Sequence, residues 1–233
     1  MSVPILLYHQ IAPLPQKDMP FHGLLVHPAR FRCQMKWLKR AGYRGLSLRD
    51  ALPYIKGEKA GKVAAITFDD GFLNVLENAA PILAEYGFTA TNYLVANQVG
   101  GSNVWDQPLG VPKTPLMSAA QLREWAALGH EVGGHTFDHV HLTETPDNEA
   151  RRQISLSKTV LENMLGEEVS SFCFPYGENN PIHREMAEEA GFKTATTTVR
   201  GRAGSANNLF ELPRISIRRR DIWPKFLMRV CNS

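Results

Sequence analysis

Val63-Ala64-Ala65-Ile66-Thr67-Phe68 runs apolar almost without interruption and ends on Asp69-Asp70-Gly71. Six such residues read as a strand buried on both faces, the kind that sits in a parallel sheet covered by helices. The rest of the chain repeats this unit. Upstream, residues 4–9 (PILLYH) form a short apolar first strand. Residues 28–41 place Phe31, Met35 and Leu38 at helical spacing, with Pro28 near the start and Gly42 after the end. Residues 43–48 read as a weak strand, and Asp50 is expected to cap a short helix after it. Downstream, the pattern predicts a helix over 74–86 ending at Gly87, a strand over 89–95, and a helix that Ser118 and Gln121 open as a capping box and that ends near Gly129. A strand over 130–136, a long helix over 147–165 closed by Gly166, and a strand and turn over 170–177 follow. Pro181 opens a helix that reaches Gly191, and the last strands span 193–199 and 210–217. Strict alternation of this kind predicts an α/β fold, a distorted (β/α) barrel of seven or eight mostly parallel strands, with a doubly wound open sheet as the alternative. No repeat or boundary interrupts the series, so residues 1–233 read as a single domain.

Composition excludes several classes. Hydrophobic residues make up 43% and charged residues 21%, which suits a packed core and not a disordered chain. The net charge is only +3, without the basic stripe of a nucleic-acid binder. The run Arg218-Arg219-Arg220 reads as a solvated face or helix start, with an anionic partner such as a phosphate as the other reading. Cys33, Cys173 and Cys231 are an odd set without paired spacing, hence reduced thiols. The N-terminal segment lacks a basic region and runs straight into PILLYH, so it reads as a strand and not as a signal peptide. With no span apolar enough for a bilayer, a cytoplasmic location is expected.

The polar residues that look out of place share one address. His9 ends the first strand, Asp69 and Asp70 end VAAITF, His135 ends HEVGGHT, and Tyr176 and Gly177 end SSFCFP. In parallel α/β folds the carboxyl ends of the strands line one face, where sites are built. Two adjacent carboxylates after an apolar strand are costly unless something compensates them. A divalent metal would; a helix cap in a solvated turn is the plainer reading. His135 and His139 lie four apart in His-Thr-Phe-Asp-His, and neutral imidazoles are common metal ligands. One Asp and two His leave positions open for water and substrate, which marks a catalytic site and not a closed structural one. Trp105 and Asp106 stand in the longest irregular stretch, residues 97–117, and read as a substrate platform or as an anchor of that loop.

Together these motifs resemble the polysaccharide deacetylases, carbohydrate esterase family 4. TFDDG at 67–71, HTFDH at 135–139 and FPYG at 174–177 match the family's first three motifs in order and spacing. The N-terminal Tyr8-His9 is similar to the branch that includes the poly-N-acetylglucosamine deacetylases. The resemblance implies a metal held by Asp70, His135 and His139, a catalytic base in Asp69, and a backbone N–H near Tyr176 that holds the oxyanion. Two positions depart from the family pattern. An Arg usually precedes the Pro-Tyr-Gly segment to orient the base; Cys173 stands there instead, and Arg214 is the candidate replacement, with a surface salt bridge or a substrate contact as its other roles. The family's late Leu-x-His acid is absent, since that segment reads Leu212-Pro213-Arg214, and His9 is the candidate acid. His141 is a candidate to orient a ligand from behind. His22, His27, His130 and His183 read as surface or capping residues.

The function expected is removal of an N-acetyl or N-formyl group from an amino sugar or sugar-containing precursor. An amidase on a non-sugar cyclic amide and a degenerate carbohydrate-binding module are the alternatives. The metal expected is zinc, with cobalt, nickel or iron also suited to a His₂-Asp site. The partner expected is a carbohydrate.

Overall fold

The computed structural model of the chain describes residues 2–13 and 19–232. Its strands are β1 (Ile5–Tyr8), β2 (Gln10–Ile11), β3 (Leu25–Val26), β4 (Arg44–Leu46), β5 (Val63–Phe68), β6 (Thr91–Leu94), β7 (Glu131–Gly134), β8 (Ser171–Cys173), β9 (Thr194–Arg200) and β10 (Leu212–Ser216). The α-helices are α1 (Pro28–Arg40), α2 (Leu48–Ile55), α3 (Ala80–Tyr86), α4 (Ala119–Ala127), α5 (Asp147–Leu165), α6 (Pro181–Glu189) and α7 (Trp223–Asn232). β1, β10, β9, β8, β7, β6 and β5 follow one another in a parallel sheet that β1 closes on β5. The expected barrel is therefore present, with seven strands in the ring. β4 is the eighth and does not take a full place in it. It pairs with Val63–Ala65 on the same edge of β5 where β6 takes over at Thr67 and Phe68. β4 thus fills a split at the amino-terminal end of the wall, and Thr89 and Thr91 accept from the backbone N–H groups of Ser47 and Leu48 just beyond it.

Side-chain parity sets the rest. Leu6, Tyr8, Ala64, Ile66, Phe68, Val132, Phe172, Ala195 and Ile215 share one apolar cluster with the helices. Val3, Ile5, Val63, Ala65, Tyr93, Cys173 and Leu212, the alternate positions, pack in a second cluster with α2. Successive residues of a strand face opposite sides, so the first set covers the barrel and the second fills it. Gly133 makes room for that filling: a Cβ there would stand 2.4 Å from the Tyr93 ring. At the amino-terminal end, Glu131 lies buried and accepts hydrogen bonds from Thr91 Oγ1 and the Arg49 N–H at 2.6 and 2.8 Å, and from the Ser171 hydroxyl.

Several local expectations change. Ser47, and not Asp50, caps α2: its Oγ accepts from the Asp50 N–H at 3.2 Å, and Asp50 lies within the first turn. The helix expected over 74–86 opens with a π-helical turn, Val75–Ala79, before α3. The short pair β2–β3 and helix α7 have no counterpart in the strand–helix reading. Arg218–Arg220 precede α7, which begins at Trp223, so the run is a loop and not a helix start. His130 and His183 are buried, not surface residues. His130 stacks on Trp125 and accepts from the Ala90 N–H. The capping box at Ser118 and the α5 span of 147–165 are as expected. No helix among the described residues is long and apolar enough to cross a membrane.

Candidate active site

The carboxyl ends of the strands open into one groove lined by His9, Asp69, Asp70, Trp105, Asp106, His135, His139 and Tyr176, with Met19, Phe21 and Leu24 on its far wall. Parity continues from β5 into the site. Asp69 follows Ala65 and Thr67 inward, whereas Asp70 would point outward with Ile66 and Phe68. A left-handed turn at Asp70, φ 76°, redirects it, and its side chain meets His135 and His139. All five described non-glycine residues with positive φ border this groove or its ligand turns: Phe21, Asp70, Thr136, His139 and Tyr176. Such conformations are costly for side-chain-bearing residues and persist where surrounding contacts over-determine them. Thr136 shows how: its Oγ1 accepts from the His139 N–H at 2.9 Å and ties the His-x-x-x-His turn together.

The two aspartates are engaged differently. Asp70 Oδ1 lies 3.4 Å from both His135 Nε2 and His139 Nε2. The three donor atoms fall within 4.8 Å of one another, close enough to share a cation. His135 Nδ1–H donates to the Cys173 carbonyl at 2.7 Å, which directs the Nε2 lone pair toward Asp70. His139 Nδ1 is hydrogen-bonded to the Tyr176 hydroxyl at 3.2 Å, and its ring is stacked on Trp105 at 4.5 Å. Asp69 faces the other way. Arg214 grips it with both Nη atoms at 2.7 Å, and Arg214 Nε donates to the Thr197 carbonyl. Asp69, His135 and Cys173 also cluster within 4.8 Å. They make a poor cation seat, because Arg214 occupies both Asp69 oxygens and His135 turns its protonated nitrogen to that side.

Charge accounts for the arrangement. Burial alone would raise the Asp69 pKa; the Arg214 charge overrides it and holds Asp69 below the usual carboxylate range. Two buried carboxylates against one guanidinium leave one negative charge, and neutral imidazoles supply lone pairs without charge. The donor set therefore fits a divalent metal ion. Asp106, half-buried, is pushed up to about 6 by burial and then by the Asp70 charge. Tyr176 is pushed up to about 12 by burial and by Asp106 and Asp70, so its hydroxyl stays protonated.

A sequence model described as polysaccharide deacetylase matches residues 56–195. The chain belongs to the polysaccharide deacetylase family. The matched segment contains Asp69, Asp70, His135, His139 and Tyr176, while His9 and Arg214 lie outside it. Similarity extends further. The poly-beta-1,6-N-acetyl-D-glucosamine N-deacetylase of Staphylococcus aureus (strain MRSA252) is 26% identical over 204 residues, covering 82% of this chain and 67% of that protein. The solved structure of Streptococcus pyogenes deacetylase PplD in complex with acetate has a TM-score of 0.86 at 26% identity, over 99% of this chain and 98% of that one. That of BC0361, a polysaccharide deacetylase from Bacillus cereus, has a TM-score of 0.82 at 25% identity, over 99% and 69%.

Within this polysaccharide deacetylase fold, every residue expected to hold the metal, act on the substrate or bind it lines the groove, but for one. The exception is Arg214, which is 1% exposed behind Asp69; it has no access to a substrate, and its expected substrate contact is corrected. Its two bonds hold the Asp69 carboxylate in place. His141 does not touch a ligand histidine directly. It stacks face to face on Tyr176 at 3.8 Å and holds Glu178 at 3.0 Å. Glu178 and the 19–25 wall were not legible beforehand: Glu178 acts through two intermediaries, and the wall is placed by the β2–β3 pairing of residues distant in sequence.

Proposed function

We propose that the chain is a metal-dependent hydrolase that removes the N-acetyl, or N-formyl, group of an amino sugar. One observation carries the reading: adjacent carboxylates are split, one gripped by a buried guanidinium and one turned to two imidazoles. Asp70, His135 and His139 would hold the cation, with zinc the leading candidate and cobalt, nickel or iron suited to the same donors. When bound, such a cation acidifies water and polarises an acyl carbonyl. Asp69, kept ionised by Arg214, takes the proton of the attacking water. The Tyr176 N–H meets the oxygen as the carbonyl carbon becomes tetrahedral. His9 lies in the groove, close enough for its charge to act on Asp69, Asp70 and Asp106, and gives its proton to the departing amine. Trp105 offers a partly buried aromatic face at the groove for a sugar ring.

The staphylococcal relative makes β-1,6-linked N-acetylglucosamine oligomers the first substrates to test. Acetate and free amine should appear in equal amounts with added zinc or cobalt and not with chelator. Ring-opening of a cyclic amide in place of acetate or formate release would overturn the sugar assignment, and cation binding without turnover on any of these would leave a binding module.

Two variants probe the parts. His9→Ala should lower kcat on an N-acetyl sugar by about 10²–10⁴ while leaving an activated aryl acetate, whose leaving group needs no proton, much less affected. Equal losses on both substrates would remove the acid role. Tyr176→Phe keeps the ring between His139 and His141 and deletes only the hydroxyl. Cation affinity, measured by chelator competition, should fall about 10–100-fold, and an unchanged affinity would show that the hydroxyl does not support His139.

A further inference from the structure

A second cavity lies beside the groove. Among the described residues, His22, Arg30, Arg219 and Arg220 line it and no carboxylate does. Among the described residues none of these three guanidinium groups forms a salt bridge. The nearest acid in sequence, Asp221, is committed to Lys225, Arg229 and the Arg218 N–H. Like charges gathered without a counter-charge repel, and an oxyanion relieves them.

The cluster is fastened in place. Arg30 Nη1 donates to the Arg219 carbonyl at 2.7 Å, and the Arg219 N–H donates to the Gly23 carbonyl at 2.8 Å. His22 Nδ1–H donates to the Met19 carbonyl at 3.1 Å, which leaves Nε2 for the cavity. The turn that supplies His22 also presents Met19, Phe21 and Leu24 to the groove. One turn therefore has the basic cavity on one side and the candidate active site on the other.

We propose that this cavity is an anion subsite that takes a phosphate ester carried on the glycan, outside the sugar whose amide is cut. Guanidinium groups pair with phosphate oxygens in bidentate fashion, and three arginines, one from α1 and two from the loop before α7, line the seat. The substrate-borne part of this proposal rests on the hydrolase reading; the anion seat itself does not.

The test has two arms. In the first, inorganic phosphate is titrated calorimetrically into the whole chain and into the Arg30→Gln/Arg219→Gln/Arg220→Gln variant, with Arg220→Gln alone as an exposed change that leaves the Arg30–Arg219 bond in place. Binding weakened at least about tenfold in the triple variant and measurably in the single one is expected. Equal binding in all three, or none, overturns the anion seat. In the second arm, turnover is compared on an N-acetylglucosamine oligomer with and without a phosphate ester. The phosphorylated oligomer should have a KM about tenfold lower in the wild type only, with kcat the same and the advantage shrinking as salt rises. Phosphate binding without any KM advantage overturns the substrate-borne part and leaves a seat for free phosphate. Phosphate binding with no turnover of either oligomer would instead count against the hydrolase reading.

Discussion

Asp69→Asn should abolish most turnover, lowering kcat/KM by about 10²–10⁴ on an N-acetyl sugar, while the protein still binds one cation. The expectation follows from the division of labour at the end of β5. The amide side chain keeps the shape and its oxygen can still accept from Arg214, but it no longer takes a proton. Asp70, His135 and His139, the proposed cation donors, are untouched. The neighbouring change gives the opposite result: Asp70→Asn removes the charge between His135 Nε2 and His139 Nε2 and should lose the cation first and turnover as a consequence. Metal analysis of both purified variants, with kinetics at saturating zinc or cobalt, separates the two. If Asp69→Asn keeps more than a tenth of the wild-type rate, Asp69 is not the base.

Arg214→Met is the second large effect, and it acts on the fold. The guanidinium is buried behind the site with two bonds to Asp69. Removing it strands a buried carboxylate, which typically costs about 3–5 kcal/mol. The pH dependence distinguishes this from simple loss of packing. In the native protein the Asp69 pKa is lowered, so the pair's contribution is present above the ordinary carboxylate pKa and is lost only as the pH falls below it. Without Arg214 only the smaller influences of His135 and His9 oppose burial, which then raises the same pKa. The variant should then be weakest at neutral pH and recover as acidification protonates Asp69. Urea unfolding between pH 5 and 8 reads this out, and a destabilisation independent of pH would show that the ion pair is not its source. Arg214→Lys should rescue only partly, because an ammonium cannot span both carboxylate oxygens.

Much of this was legible in the sequence because two strong periodicities do not depend on distant partners. VAAITF reads as a doubly covered strand wherever it sits, and Ser118 with Gln121 forms its cap from residues three apart. The barrel followed from alternation, and the groove from the coincidence of polar residues at strand ends. What was hidden depends on tertiary neighbours. Nothing local in the Arg214 strand says that it faces inward at the level of Asp69. Parity within β10 and the closure of β1 on β5 put it there. Cys173 departs from the family pattern, and its position beside Asp69 and Arg214 explains how the departure is tolerated: a small thiol leaves space for a guanidinium arriving from another strand. The Trp105 loop suits either a sugar platform or a loop anchor by sequence, and in the fold Trp105 lines the groove while also stacking on His139. The burial of His130 and the π-helical turn ahead of α3 likewise come from packing partners that no short window contains.

The left-handed residues crowded around the groove carry a lesson for anyone re-engineering this scaffold. Relaxing one of them, as in Thr136→Gly, should harden the barrel while loosening the cradle that it presents, since the hydroxyl that braces that turn also holds the His139 N–H. Sturdiness and reactivity in this molecule are therefore adjustable by separate handles: the strands set the first, and a few awkward corners set the second.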